Sequence, residues 1–173
     1  GLGEDDVTLE FKSEASEVAS VLAEDPNAIG LLPQPFVTAA LAQNEKLSII
    51  MDLTKEWDNV QGEGSGSRLV TGVTIVNNDF LKEHEDLVDT FLQEHEASIA
   101  FTAEDPDAAA ELIAKAEIVA KAPIAKKALP YCNITYIAGE DMVAPMNGYL
   151  QVLFDQNPKS IGGAMPGADF YCI

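Results

Sequence analysis

The residue types that carry chemistry are sparse in this chain, and their spacing does not suit the reactions they would perform. His84-Glu85 and His95-Glu96 each put an imidazole beside a carboxylate, as zinc-protease helices do, but the two histidines stand eleven residues apart. A helical pair that shares one metal is spaced by about four. His95 falls on an apolar helix face and reads as a half-buried packing residue. Gly62-Glu63-Gly64-Ser65-Gly66 would let backbone amides approach a phosphate closely. The lysine and helix that complete a phosphate loop do not follow, so the stretch reads as a plain loop. No Gly-x-Ser-x-Gly elbow occurs, and neither Cys132 nor Cys172 has a histidine beside it to activate a thiolate. The two cysteines lack zinc-knuckle or redox spacing and read as small apolar groups. The acidic clusters Glu4-Asp5-Asp6, Glu83 to Asp86 and Glu94 to Glu96 lack the alternating ligands and central Gly of a calcium loop. They read as solvated helix faces and caps. The expectation is a protein without catalytic residue, metal or cofactor.

Charge narrows what is bound. Ten basic against 29 acidic side chains give a formal net charge of −19, which repels nucleic acid and anionic membrane surfaces. The apolar runs fall well short of the roughly 20 residues of a spanning helix, and no basic start leads into an apolar signal core. The chain begins Gly1-Leu2-Gly3 without an initiator Met, so any leader or lipid anchor is expected upstream. At 173 residues the chain can bury a core as one compact unit or two small ones.

The elements that would position a binding site alternate strand and helix. Val7 to Phe11 alternates apolar and polar residues as a strand does, and Ser13 stands where a helix cap would. Ala15, Val18, Ala19, Val21 and Leu22 form an apolar helix face that Asp25-Pro26-Asn27 ends. Ala28 to Leu32 reads as a buried parallel strand closed by Pro33-Gln34-Pro35. A helix over 36–43, an apolar strand at Leu47 to Met51 and a capped helix carrying Trp57 follow. Asn59 to Ser67 is a flexible crossing. Leu69 to Val76 resumes as a strand, and Asn77-Asn78-Asp79 caps the longest helix, Phe80 to Thr102. Leu87, Val88, Phe91, Leu92, His95 and Ile99 share one face of that helix. Asp105-Pro106 and Pro123 open two further helices, and Ile134 to Ile137 is a short strand or extended approach. A last helix spans Gly139 to Phe154, where Pro145 should kink or restart it. The tail from Asn157 is irregular.

Five stretches carry a resemblance: KSEASEVASVLAEDPNAIGLLPQPF, DLTKEW, GVTIVNNDFLKEHEDLVDTFLQEHEASIAF, ALPYCNITYIAGEDM and NPKSIGGAMPGADFYCI. Their order resembles the C-terminal half of the solute-binding component of ABC importers of the nitrate/sulfonate/taurine type, and the last two resemble a subgroup common among anaerobic Gram-positive bacteria. The resemblance covers nearly all of the chain and rests on segment order more than on any one motif. It implies a partial α/β fold of the periplasmic-binding-protein type II kind. Residues 1–66 would be β-α-β elements of lobe II, and 67–173 a return segment with the helix-rich end of lobe I. The family's N-terminal lobe half, which also reaches the ligand, would precede Gly1.

The resemblance further implies a small-molecule solute held between two lobes, an ABC permease as partner, and an extracytoplasmic location through a lipid anchor. Its extracellular habit leaves a Cys132–Cys172 bridge open. Strands of such folds end at the ligand crevice, which makes Ser13, Glu14, Pro33, Gln34, Pro35, Thr71 and Gly72 the candidate ligand contacts. Gln34 can both donate and accept, while Gly72 lets backbone approach closely. Glu14 and Glu17 offset the positive helix start there, so a neutral or cationic solute, such as a pyrimidine-like nutrient, fits better than an anion. An unpaired lobe half would leave edges and apolar faces open, which favours a homodimer or domain swap. Two other readings are a stand-alone acidic domain that meets a basic protein, and an enzyme of the pyrimidine-precursor branch that shares the fold, for which only His95, Cys132 and their neighbours could serve.

Overall fold

A computed structural model describes residues 3–62 and 64–173. Gly1, Leu2 and Glu63, the last of them within the glycine-rich loop, lie outside the described residues. The chain forms two compact units: Gly1–Ser48 with Ser98–Ile134, and Ile49–Ala97 with Thr135–Ile173. Eight α-helices are found among the described residues: α1 (Ala15–Glu24), α2 (Phe36–Gln43), α3 (Leu53–Gln61), α4 (Asn78–Glu83), α5 (Glu85–Glu104), α6 (Pro106–Lys115), α7 (Ala122–Ala128) and α8 (Glu140–Gln156). No helix of the described residues is long and apolar enough to cross a membrane.

Side-chain caps open three of the eight helices. Asp52 Oδ1 accepts from Thr54 N at 3.1 Å to open α3, and Asn77 Oδ1 accepts from Asp79 N and Phe80 N at 2.9 and 3.2 Å to open α4. Asp105 Oδ1 accepts from Ala108 N at 3.0 Å ahead of Pro106, whose missing N–H costs nothing in a first turn. The cap of α1 is Glu14, one residue later than the serine expected there. Its backbone N–H donates to Glu17 Oε2 at 2.9 Å.

The α/β expectation is overturned. The described residues are 59% helical with no strand and no sheet. Val7 to Phe11, Ala28 to Leu32, Leu47 to Met51, Leu69 to Val76 and Ile134 to Ile137 are all non-helical, and no β-α-β unit forms. The reason lies in pairing. Apolar β-branched residues make a segment able to be a strand, but a strand exists only where a neighbour meets its N–H and C=O groups. Outside the helices, the backbone hydrogen bonds among the described residues join groups close in sequence, as in turns and caps.

The long helix expected from Phe80 to Thr102 is two. His84, at φ −139° and ψ 41°, donates its N–H to Phe80 O and accepts at its carbonyl from Leu87 N and Val88 N. It closes α4 and starts α5, where Glu85 and Asp86 suit the positive helix end. On the apolar face of α5 only Val88 is buried, while Leu87 and Phe91 are exposed. α8 runs through Pro145 without a restart.

The core of the first unit is alanine. Ala40 of α2, Ala109 and Ala110 of α6, and Ala125 and Ala128 of α7 are buried. Side chains this small let helix axes approach closely, and Lys126 of α7 pairs with Asp107 of α6 beside that contact. Segment 28–32 packs on α1 through Gly30, where a Cβ would lie 2.8 Å from Leu22 Cδ1 and 3.0 Å from Val18 Cγ1. In the second unit Ser67 is buried against Gly148 of α8. Trp57 Nε1 donates to Ser67 Oγ at 3.1 Å, and the Trp57 ring tilts against Tyr149 at 5.3 Å between centroids.

Candidate functional site

In the first unit, five of the candidate residues lie where an extended segment runs into a helix. Ser13 and Glu14 lead into α1, and both are exposed. The carboxylate of Glu17 already holds the first free amide of that helix end. Pro33, Gln34 and Pro35 lead into α2, with the Gln34–Pro35 peptide cis. Gln34 is half-buried, and its side-chain oxygen accepts from Thr38 N at 3.2 Å and from Thr38 Oγ1 at 2.8 Å. That oxygen serves the helix start, which leaves the carboxamide NH2 as the group able to meet a solute. Gln34 therefore presents a donor.

Thr71 and Gly72 belong to the second unit, on the exposed extended stretch before α4. A Cβ on Gly72 would meet nothing within 4 Å. Among the described residues no neighbour demands a glycine there, and the space in front of it is open.

The glycine-rich loop, also in the second unit, forms an open cavity of about 440 Å³ lined by Asp58, Gly62, Gly64, Ser65, Gly66, Ser67 and Arg68. Gly62, Gly64 and Gly66 have φ of 79°, 84° and 71°, conformations that glycine adopts readily. Its polar groups are already engaged. Arg68 Nη1 pairs with Asp58 Oδ1 at 3.1 Å, Ser67 Oγ accepts from Trp57, and Ser65 Oγ accepts from Ser67 N at 3.3 Å. A cavity whose one cation and two hydroxyls are spoken for is a poor anion site. The Trp57–Ser67–Tyr149 cluster beneath it went unread in the sequence, where its members lie in three separate segments.

His95 stacks on Phe91 at 5.5 Å with 12° between planes and meets Tyr136 edge-on at 6.1 Å. It is the half-buried packing residue that its helix face implied. Both cysteines are free thiols: Cys132 Sγ donates to Ala128 O at 3.3 Å, burial pushes that thiol upward in pKa, and Cys172 is exposed. Among the described residues no cluster of His, Cys, Asp and Glu suited to a metal is found.

No family model matches the chain, and no curated protein matches it. A crystal structure at 1.75 Å of an ABC transporter from Parabacteroides distasonis matches it with a TM-score of 0.75 at 20% sequence identity. The match covers 94% of this chain and 55% of that one, so the chain spans about half the length of that protein. In fold, the chain is similar to an ABC transporter protein.

Proposed function

We propose that the chain is part of the solute-binding component of an ABC importer, capturing a small nutrient outside the cytoplasmic membrane for a permease, and that it does no chemistry itself. The observation that carries this reading is the likeness of fold, over 94% of the chain, to a protein described as an ABC transporter. The sequence adds support: a nucleotide-hydrolysing component needs the Gly-Lys-Ser/Thr end of a phosphate loop, and these residues contain no Gly-Lys pair.

The groups at the helix starts favour one kind of solute. Gln34 offers its amide NH2, and a solute that meets it carries an acceptor such as a ring carbonyl. The start of α1 is already occupied by Glu17, with Glu14 beside it, which disfavours an anion there. A neutral or cationic solute bearing a carbonyl, as pyrimidines do, meets both conditions. The test is thermal melting of the gene product that carries these residues, with pyrimidines, cationic amines and taurine-type sulfonates. A ligand at 100 times its Kd stabilises by about 2.7 kcal/mol, a rise of several degrees. A pyrimidine, or an amine that also bears a carbonyl, is expected to produce it. Stabilisation by sulfonates alone contradicts the solute class, and stabilisation by nothing contradicts the function.

A further inference from the structure

The extended segments leave their apolar side chains uncovered. In the first unit Gly30 faces α1, while Ile29 and Leu31, turned the other way, are 83% and 72% exposed; Phe11 is 90% exposed. In the second unit Ile49, Ile50, Val73 and Ile75 are exposed, the last at 86%. Stretches 28–32, 47–51 and 69–76 carry no charged residue in a chain with 29 acidic and ten basic ones. Depletion of charge around exposed apolar groups is the composition of an interface core.

Area supports the same conclusion. Two separate compact units, each of about half this chain's mass, would together expose about 9,900 Å². The chain exposes 13190 Å². The excess, about 3,300 Å², is one side of a contact; counted on both partners it is about 6,600 Å², the scale of a large obligate interface. It does not depend on how the two units are placed, since the comparison already counts them apart.

We propose that these segments seat one further polypeptide: the part of the ABC transporter fold that this chain does not span. It lays apolar side chains on the exposed face of each unit and gives hydrogen-bond partners to the backbone of the extended segments. The 55% span of the neighbouring structure leaves a portion of matching scale to do so. Charge selects against a second copy, which would bring another −19 to the contact. The proposal is independent of any solute.

The test compares the 173-residue chain with the gene product that carries it, reading anilinonaphthalene-sulfonate fluorescence, light scattering and amide hydrogen exchange. The expected result is an isolated monomer that binds the dye. In the gene product the dye signal is lost and the amides of 28–32 and 69–76 exchange at least about 100-fold more slowly. An isolated chain that is a dye-silent dimer assigns the faces to a second copy and overturns the proposal. A dye-silent monomer overturns it too, as does a gene product with unchanged dye binding and exchange. Should the isolated chain aggregate, Ile29→Lys and Ile75→Lys in the gene product decide the matter. Each is expected to lower its Tm by several degrees and restore dye binding, and unchanged melting and dye signals overturn the proposal.

Discussion

Gly148→Ala separates local propensity from packing by the sign of its effect. In the interior of an exposed helix this change stabilises by about 1 kcal/mol, because alanine loses less backbone freedom. Here the added Cβ would lie 2.6 Å from Ser67 Cβ and 2.7 Å from Ser67 Cα, against a carbon–carbon optimum of about 3.5 to 4.0 Å. The obstacle is backbone, so no rotamer change relieves it. Ser67 is also buried and held by Trp57, whose ring rests on Tyr149. Moving it by about 1 Å strains or breaks the 3.1 Å bond from Trp57, worth about 1 kcal/mol, on top of an overpacking cost of about 1 to 3 kcal/mol. After the propensity gain, the second unit should lose about 1 to 3 kcal/mol. Trp57, the only tryptophan in the chain, lies in the contact and reports it. Urea unfolding followed by its fluorescence should show an earlier midpoint, and adding Ser67→Gly, which removes the nearest side-chain atoms, should restore part of the loss. A Gly148→Ala variant more stable than the parent would refute the close packing of α8 on Ser67.

Three further outcomes follow from the same contacts. Gln34→Glu keeps an acceptor for Thr38 and should melt like the parent, yet lose about tenfold in affinity for a neutral solute with its NH2; Gln34→Ala should also lose about 1 kcal/mol of stability. Calorimetry showing undiminished binding by Gln34→Glu would remove that residue from the site. Tyr171 donates its hydroxyl to Asn147 Oδ1 at 2.8 Å, and burial raises its pKa above the ordinary 10.0. The neutral form is favoured in the folded chain, so its stabilisation is complete below the unfolded pKa and lost as pH rises through the raised folded value. Melting should therefore fall more steeply above pH 10 in the parent than in Tyr171→Phe, and parallel curves would contradict this. Without reductant, Cys172 should react with a thiol reagent at pH 8 well before half-buried Cys132, whose thiol is held protonated by burial; equal rates would contradict that burial.

Local chemistry made three helix starts readable, though not the break at His84. Asp52, Asn77 and the Asp105-Pro106 pair open helices through side-chain oxygens a few residues away, and the sequence alone contains that information. Pairing is not local. Ala28 to Leu32 and Leu69 to Val76 have the composition of strands, but whether a ladder forms depends on a partner backbone that their own residues do not encode. The first unit's core was missed for a different reason: hydrophobic periodicity gives weight to Leu, Phe and Val, and drew attention to the face of α5. The buried residues are instead alanines of α2, α6 and α7, which such a reading passes over because they are small. At the candidate site, the position of Gln34 ahead of a helix was legible. Its role as a donor was not, since that depends on Thr38 taking its oxygen.

The central claim is capture of a small molecule, and native mass spectrometry of the gene product purified from its own source addresses it most directly. The account predicts a population carrying one small neutral or cationic adduct, displaced when a pyrimidine or amine that raises the Tm is added in excess. Protein that is bare in every preparation, and stays bare with each class of solute, would contradict it.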